Sequence, residues 1–267
     1  MGSGRIGNMD ILLLKLILTP ALIAAASLAG RRWGPAISGW LVGLPLTSAP
    51  VAFFLALAHG TAFAAAAALG ILAGTISQVA FCLTYGWLAP RFGWPLTVAA
   101  GSLVFAASTA ALQRLDTSAL PLFLAVVATL LVALRVMPGD IDAAIPKTNS
   151  SPGWDIPARM IVATAYVLLV TSVAPALGPQ LTGLVAPFPL YATILVVFAN
   201  QLEGAASATR VLRGLLLGLF AFAGFFLALA ILIEPAGIAL AFVTAVVVAL
   251  TIQAGSLWVL RRTDGSP

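Results

Sequence analysis

Apolar residues along this chain fall into nine long runs, separated by charges, Gly-Pro pairs and clusters of polar residues. The hydrocarbon core of a bilayer is about 30 Å thick and takes roughly 20 helical residues to cross, and each run has about that length. The pattern therefore predicts an all-α, polytopic membrane protein with about nine transmembrane helices. The predicted spans are residues 11–30, 36–58, 61–88, 94–113, 118–136, 157–176, 180–202, 211–233 and 237–260.

Composition supports this class and excludes others. Of 267 residues, 61% are hydrophobic and 8% are charged, and the mean hydropathy is +1.11, which leaves too few polar groups to cover a soluble domain. The net charge of +5 would suit a nucleic-acid partner in a soluble protein. Here the basic residues stand at the ends of the apolar runs, where they set topology, so no nucleic-acid partner is predicted.

Residues for catalysis or metal binding are scarce. A single histidine, His59, and a single cysteine, Cys82, cannot build a histidine-rich metal site or an intramolecular disulfide. The sequence has no Ser/His/Asp set, no phosphate-binding glycine loop and no pair of carboxylates within an apolar run. We therefore expect a protein that is not an enzyme and that has no metal or other cofactor.

The chain repeats itself with an offset of 144 residues. Aligned at that offset without a gap, Lys15 falls on Arg159, and Gly74 falls on Gly218 (74 + 144 = 218). All five glycines between residues 175 and 218 coincide with glycines of the first half, where chance would give fewer than one coincidence. The chain therefore contains an internal repeat.

One apolar run, 118–136, is unpaired and lies between two sets of four, so the second copy must enter the membrane from the opposite side. The predicted domains are a first membrane repeat (9–113), a linking transmembrane helix (118–136), a cytoplasmic linker (137–156) and a second, inverted membrane repeat (157–260). With the N-terminus outside and the C-terminus inside, most basic residues become cytoplasmic, as the positive-inside rule requires. These residues are Arg31, Arg32, Arg91, Arg135, Lys147, Arg159, Arg210, Arg213, Arg261 and Arg262.

Proline interrupts the second run of each repeat at matching places: "GWLVGLPLTSAP" (39–50) aligns with "GLVAPFPLYATI" (183–194). Proline removes an amide donor, and a backbone group freed in hydrocarbon is costly unless a polar cavity or a neighbour satisfies it. Broken helices at corresponding positions of inverted repeats indicate a transport site near the membrane midplane; simple packing kinks are the alternative. The predicted substrate-binding residues here are Gly43, Pro45, Thr47, Ser48, Pro187, Pro189, Tyr191 and Thr193.

Five further side chains complete the predicted site. Gln78 and Asn200 would bind substrate from the cavity wall, although an interhelical hydrogen bond would also explain Gln78. Lys15 and Arg159 would draw an anion toward the cavity from opposite faces, unless they snorkel to the interface. Glu203, a carboxylate at the end of a broken helix, is the candidate coupling residue, with an ordinary helix-end acid as the alternative.

A family resemblance covers about fifty residues of each repeat. Gly183-Leu184 through Phe188-Pro189, followed by a polar-aromatic pair, is similar to the pattern in the second helix of the GlpM family of small inner-membrane proteins. Leu13, Leu14 and Lys15, followed by "SGWLVGLPLTSAP", resemble the opening of those proteins. This chain differs in being a fused double copy and in the position of Pro187. The resemblance implies that GlpM-like proteins pair antiparallel to form what this chain forms covalently, and it implies no substrate.

These features predict a secondary transporter in a bacterial inner membrane that moves a small anionic or neutral solute by alternating access. Its predicted partners are membrane lipids and that solute, and a homo-oligomeric state stays open. One alternative is a non-transporting accessory or scaffold protein of envelope lipid or polysaccharide assembly. A passive channel is a further alternative, which flux that does not saturate would distinguish.

Overall fold

Helices make up nearly all of the chain that the computed structural model describes, namely residues 12–13, 16–21, 24, 28, 40–114, 117–138 and 155–264. No strand occurs within those ranges, so the predicted all-α class is confirmed there. Described positions between 12 and 28 are helical, and residues 40–42 form a further short helical piece. The remaining helices are α1 (Ser48–His59), α2 (Thr61–Leu88), α3 (Trp94–Leu112), α4 (Ala119–Val136), α5 (Asp155–Val185), α6 (Leu190–Glu203) and α7 (Ala205–Asp264).

Five of these helices, α2 to α5 and α7, are long and apolar enough to cross a membrane. α2 is the central helix: it packs against α1, α3, α4, α5 and α7, and 72% of its most apolar window is buried. α3 and α4 are peripheral, with 22% of that window buried, and side chains such as Leu103 and Leu124 are exposed. An exposed surface this apolar suits lipid rather than water, which is compatible with an integral membrane protein.

Glycines in the left-handed region of backbone space mark where the apolar runs end. Gly60 and Gly204 separate α1 from α2 and α6 from α7. Gly178 and Gly237, with φ of 74° and 78°, interrupt α5 and α7. The spans 157–176 and 180–202 thus do not form two simple helices, since helix continues past Gly178 to Val185.

Helix bounds agree with the predicted spans to within two residues for α2, α3 and α4. The start of α7 also differs from the prediction, since this helix begins at Ala205 rather than at the predicted residue 211. Small and polar residues, "AASAT", precede Arg210 and lie outside the predicted spans. They join the helix because the positive φ of Gly204 completes the turn in a single residue.

Backbones approach closely where glycines from different helices meet. A Cβ atom placed on Gly43 would overlap the main chain of Gly218, and one on Gly70 would lie 2.9 Å from Cα of Gly183. Small residues permit this kind of contact between membrane helices. Consequently α7 lies directly against the first break, and α2 lies directly against the end of α5 that leads into the second break.

The C-terminal end of α4 is fixed by a charged side chain from α7. Arg213 donates hydrogen bonds to the main-chain oxygens of Met137 and Pro138, at 3.1 and 3.3 Å. A cation at a helix C-terminus satisfies carbonyls that have no partner within the helix and complements the helix dipole.

Candidate functional site

Both predicted breaks are present in the structure. Residues 43–47 are non-helical between the short piece 40–42 and α1, and residues 186–189 are non-helical between α5 and α6. Pro45, Pro187 and Pro189 lie inside these interruptions. Since proline cannot donate a backbone hydrogen bond and clashes with the preceding turn, helix ends before each group and starts again after it.

The two breaks meet although they are about 140 residues apart in sequence. The buried Ser48 hydroxyl donates to the main-chain oxygen of Ala186 at 3.1 Å. A cavity of about 30 Å³, here called the central cavity, lies between the breaks. Its walls are formed by Val42, Leu44, Leu46, Thr47, Ser48, Gln78, Pro187, Phe188, Pro189, Leu190, Ala192 and Phe222.

The described part of the central cavity wall is uncharged and has few polar side chains. Gln78 reaches it from α2 and is 6% exposed; its Oε1 atom has no hydrogen-bond partner among the described residues. Thr47 and Ser48 supply the two hydroxyl groups in the wall. The first residues of α1 and α6 also line it, so both half-helices point their N-termini at this space.

A larger cavity, of about 390 Å³, lies beside the first one. It is bounded by α2, α5 and the segment between α3 and α4, and here it is called the side cavity. Gly74 separates the two, because it packs against Pro187, which lines the central cavity, and Leu184, which lines the side cavity. The polar residues of the side cavity are Gln113, Arg114, Thr117 and Gln180.

A different arrangement, made of two hydrogen bonds, occurs beside the first break. The Trp40 indole donates to the Ser256 hydroxyl at 2.7 Å, and Gln253 Nε2 donates to the main-chain oxygen of Trp40 at 3.0 Å. Trp40 and Gln253 are buried. These bonds tie the short helix 40–42 to the second part of α7.

The structure brings five predicted site residues to the central cavity: Thr47, Ser48, Gln78, Pro187 and Pro189. The others lie elsewhere or act differently. Gly43 packs on Gly218, Pro45 accepts a hydrogen bond from the Ala49 amide, and the Thr193 hydroxyl donates to the oxygen of Pro189. Asn200 lies beside the Tyr85 hydroxyl and does not line the central cavity. Lys15 and the side chains of Arg159, Tyr191 and Glu203 are outside the described residues.

Several wall residues were not predicted from the sequence. Phe188 sits inside the second break, where its ring meets Phe81 and Phe105 edge-on, with centroids 6.2 and 5.1 Å apart. Phe222 joins the cavity from α7. Local sequence does not distinguish either residue, because a phenylalanine in an apolar run is normally predicted to be an ordinary core residue. The adjacent prolines were the only indication that Phe188 faces a break.

Across the ranges the structure describes, no group of three or more His, Cys, Asp or Glu residues could hold a metal ion. The chain matches no protein-family model, no curated protein and no solved structure. The GlpM-like resemblance therefore stays a prediction. What the structure defines is an all-helical protein with several membrane-length apolar helices and two helix breaks that share one buried cavity.

Proposed function

We propose that this chain is a secondary membrane transporter that moves a small anionic or neutral solute by alternating access between two inverted repeats. The observation that carries the proposal is the meeting of both breaks at the central cavity, joined by the Ser48–Ala186 hydrogen bond. Broken helices that meet in this way at the interface of two repeats form the solute sites of many secondary transporters.

Contacts that are equivalent under the repeat support the inverted arrangement. At an offset of 144, Gly43 corresponds to Pro187, and Gly74 corresponds to Gly218. Gly43 packs on Gly218, and Pro187 packs on Gly74. One contact is therefore the counterpart of the other with the two halves exchanged, as a two-fold relation between the repeats requires.

The two routes toward the central cavity differ, and this difference supports alternating access. Leu112 and Leu184 line the side cavity, and their repeat equivalents are Ser256 and Trp40. The first pair lines a cavity of about 390 Å³, whereas the members of the second pair are joined by a hydrogen bond. With the N-terminus outside, the open route is the external one. Exchanging the conformations of the two repeats would close the side cavity and open the Trp40 route.

One observation favours the alternative of a non-transporting scaffold. The central cavity of about 30 Å³ has room for one or two water molecules, so no organic solute fits it in this conformation. In a scaffold the breaks would be dry packing features, stabilised by the glycine contacts.

Aqueous access to the breaks distinguishes the two functions. Single cysteines at Thr47 and Ala192, in a Cys82→Ala background, would be exposed to an impermeant thiol reagent from each side of oriented vesicles. A cysteine at Thr117, in the side cavity, is the reactive control, and one at Leu103, on the lipid-facing surface, is the unreactive control.

A transporter requires that both cavity sites react, with access from the two faces. If Thr117→Cys reacts while Thr47→Cys and Ala192→Cys stay protected from both faces, the breaks are dry and the scaffold function replaces transport.

A further inference from the structure

Two residues at repeat-equivalent positions in the wall of the central cavity have backbone amides without a backbone acceptor among the described residues. Ser48 and Ala192 are related by the offset of 144, both line the cavity and both are 2% exposed. In the described part of the chain neither amide donates to a backbone carbonyl: the bonds at the start of α1 come from Ala49 and Val51, and those of α6 from Leu190 and Thr193. A buried amide without an acceptor is costly, so both donors favour an acceptor in the cavity.

Gln78 adds an independent polar group from a third element. Its side chain is more than nine-tenths buried, lines the same cavity and has an unpartnered Oε1 atom among the described residues. An amide side chain can present either end, because its oxygen and nitrogen exchange places on rotation. Gln78 can therefore direct its Nε2 donor into the cavity as a third N–H group.

The electrostatics of the cavity select the sign of a ligand. Each helix N-terminus carries roughly half of a positive elementary charge, so the starts of α1 and α6 together offset about one negative charge. Among the residues that the structure describes, no acidic or basic side chain lines the cavity. The positive ends of both helix dipoles would repel a cation, whereas an anion would accept hydrogen bonds from N–H donors on two sides.

The size of the cavity limits the ligand further. A volume of about 30 Å³ excludes carboxylate-bearing metabolites and leaves room for a monatomic or similarly small ion. We propose that the central cavity binds one small inorganic anion of halide size, held by the Ser48 and Ala192 amides and by Gln78. This inference rests on the proposed function and deepens it, since it names the class of solute at the same site.

Anion-dependent stabilisation of the purified full chain tests the inference. The thermal unfolding midpoint would be followed in detergent while sodium chloride or sodium bromide replaces sodium gluconate at constant ionic strength. A ligand that binds only the folded protein raises the midpoint in a saturable way. We expect such a rise with both halides and none with gluconate, which is too large for the cavity.

Two variants of Gln78 and one matched control assign any effect to the cavity. Gln78→Leu removes the third donor, and Gln78→Glu keeps the shape but adds a negative charge; both should lose the halide-dependent rise. Gln253→Leu removes a buried amide, also with an unpartnered Oε1, that lies outside the cavity wall, and it should keep the rise. The Gln78→Glu variant keeps the test usable if Gln78→Leu does not fold.

Equal stabilisation by all three anions, or a rise that survives both Gln78 variants, would overturn the anion site. A water-filled cavity gives the first of these results. Failure of the inference differs from failure of the proposed function: with no halide effect but a reactive Thr47 cysteine, transport of another solute stands. A protected Thr47 cysteine removes the transport function itself.

Discussion

Adding a methyl group at Gly74 tests the packing that separates the two cavities. A Cβ at this position would lie 2.5 Å from Cγ of Pro187 and 2.7 Å from the main-chain oxygen of Leu184. Ordinary contacts begin at 3.4 Å, so α2 and the second break must separate by roughly 0.7–0.9 Å. Overpacking of this kind typically costs about 1–3 kcal/mol, and Gly74→Ala should lower the free energy of unfolding by that amount.

Gly218, in the other half of the chain, provides a second test of the same packing effect. Its Cβ would lie 2.7 Å from Cα of Gly43, so Gly218→Ala should cost a similar amount. The matched control is Gly255→Ala, because no atom lies within 4 Å of its Cβ and alanine is the better helix former by about 1 kcal/mol. Unfolding would be followed by circular dichroism as sodium dodecyl sulfate is titrated into mixed micelles. If Gly74→Ala and Gly218→Ala unfold at the same dodecyl sulfate fraction as Gly255→Ala, the close glycine contacts do not exist as described.

Three further predictions concern other parts of the fold. Gly237→Ala should destabilise the protein by about 1–3 kcal/mol, because a φ of 78° is strained for alanine. Its repeat equivalent Gly93 has a φ of −64° and should accept alanine. The thermal unfolding midpoints of the two variants should therefore differ, and equal midpoints would contradict the prediction. Thr109→Val and Ser77→Ala should show a coupling energy of about 0.6–1.7 kcal/mol in a double-mutant cycle, because the Thr109 hydroxyl donates to the Ser77 hydroxyl at 3.0 Å. Zero coupling would show that this hydrogen bond does not stabilise the protein. Ser256→Ala removes the hydrogen bond from the Trp40 indole. If that bond contributes about 1 kcal/mol, its loss should speed labelling of a cysteine at Thr47, from the face where Trp40 and Ser256 lie, about fivefold. An unchanged labelling rate would show that this bond does not control access.

Local sequence features predicted the parts of the structure that depend on local chemistry. Residues 61–88 were predicted as a span and form α2, because length and apolarity suffice to define such a helix. The breaks at 43–47 and 186–189 were also predicted, since proline and glycine alter the backbone wherever they occur. Gly178 falls between the predicted spans 157–176 and 180–202, and Gly237 is the first residue of the predicted span 237–260.

Local sequence patterns could not predict contacts between residues that are far apart in the sequence. The bond from Gln253 to Trp40 joins residues 213 positions apart, and the bond from Trp40 to Ser256 joins residues 216 apart. Arg213 was assigned only a topological role, yet it satisfies carbonyls at the end of α4. The side cavity likewise depends on how α2, α5 and the α3–α4 segment are arranged, and no single segment indicates it. Asn200, for example, stands on the broken helix α6 but is not among the residues that line the central cavity.

The most direct test of alternating access is to lock one route and probe the other. Cysteines replacing Trp40 and Ser256 would be joined by a short bifunctional methanethiosulfonate reagent, which substitutes a covalent link for the hydrogen bond of the closed route. In a Cys82→Ala background, a third cysteine at Thr47 would be blocked during cross-linking by a photocleavable thioether, which light removes without reducing the link. After the cross-linker is washed out and the block removed, Thr47→Cys would be probed from each face. The account predicts labelling only from the face of the side cavity, with access from both faces restored when the link is reduced. Labelling from the locked face, or no labelling from either face after reduction, would contradict it.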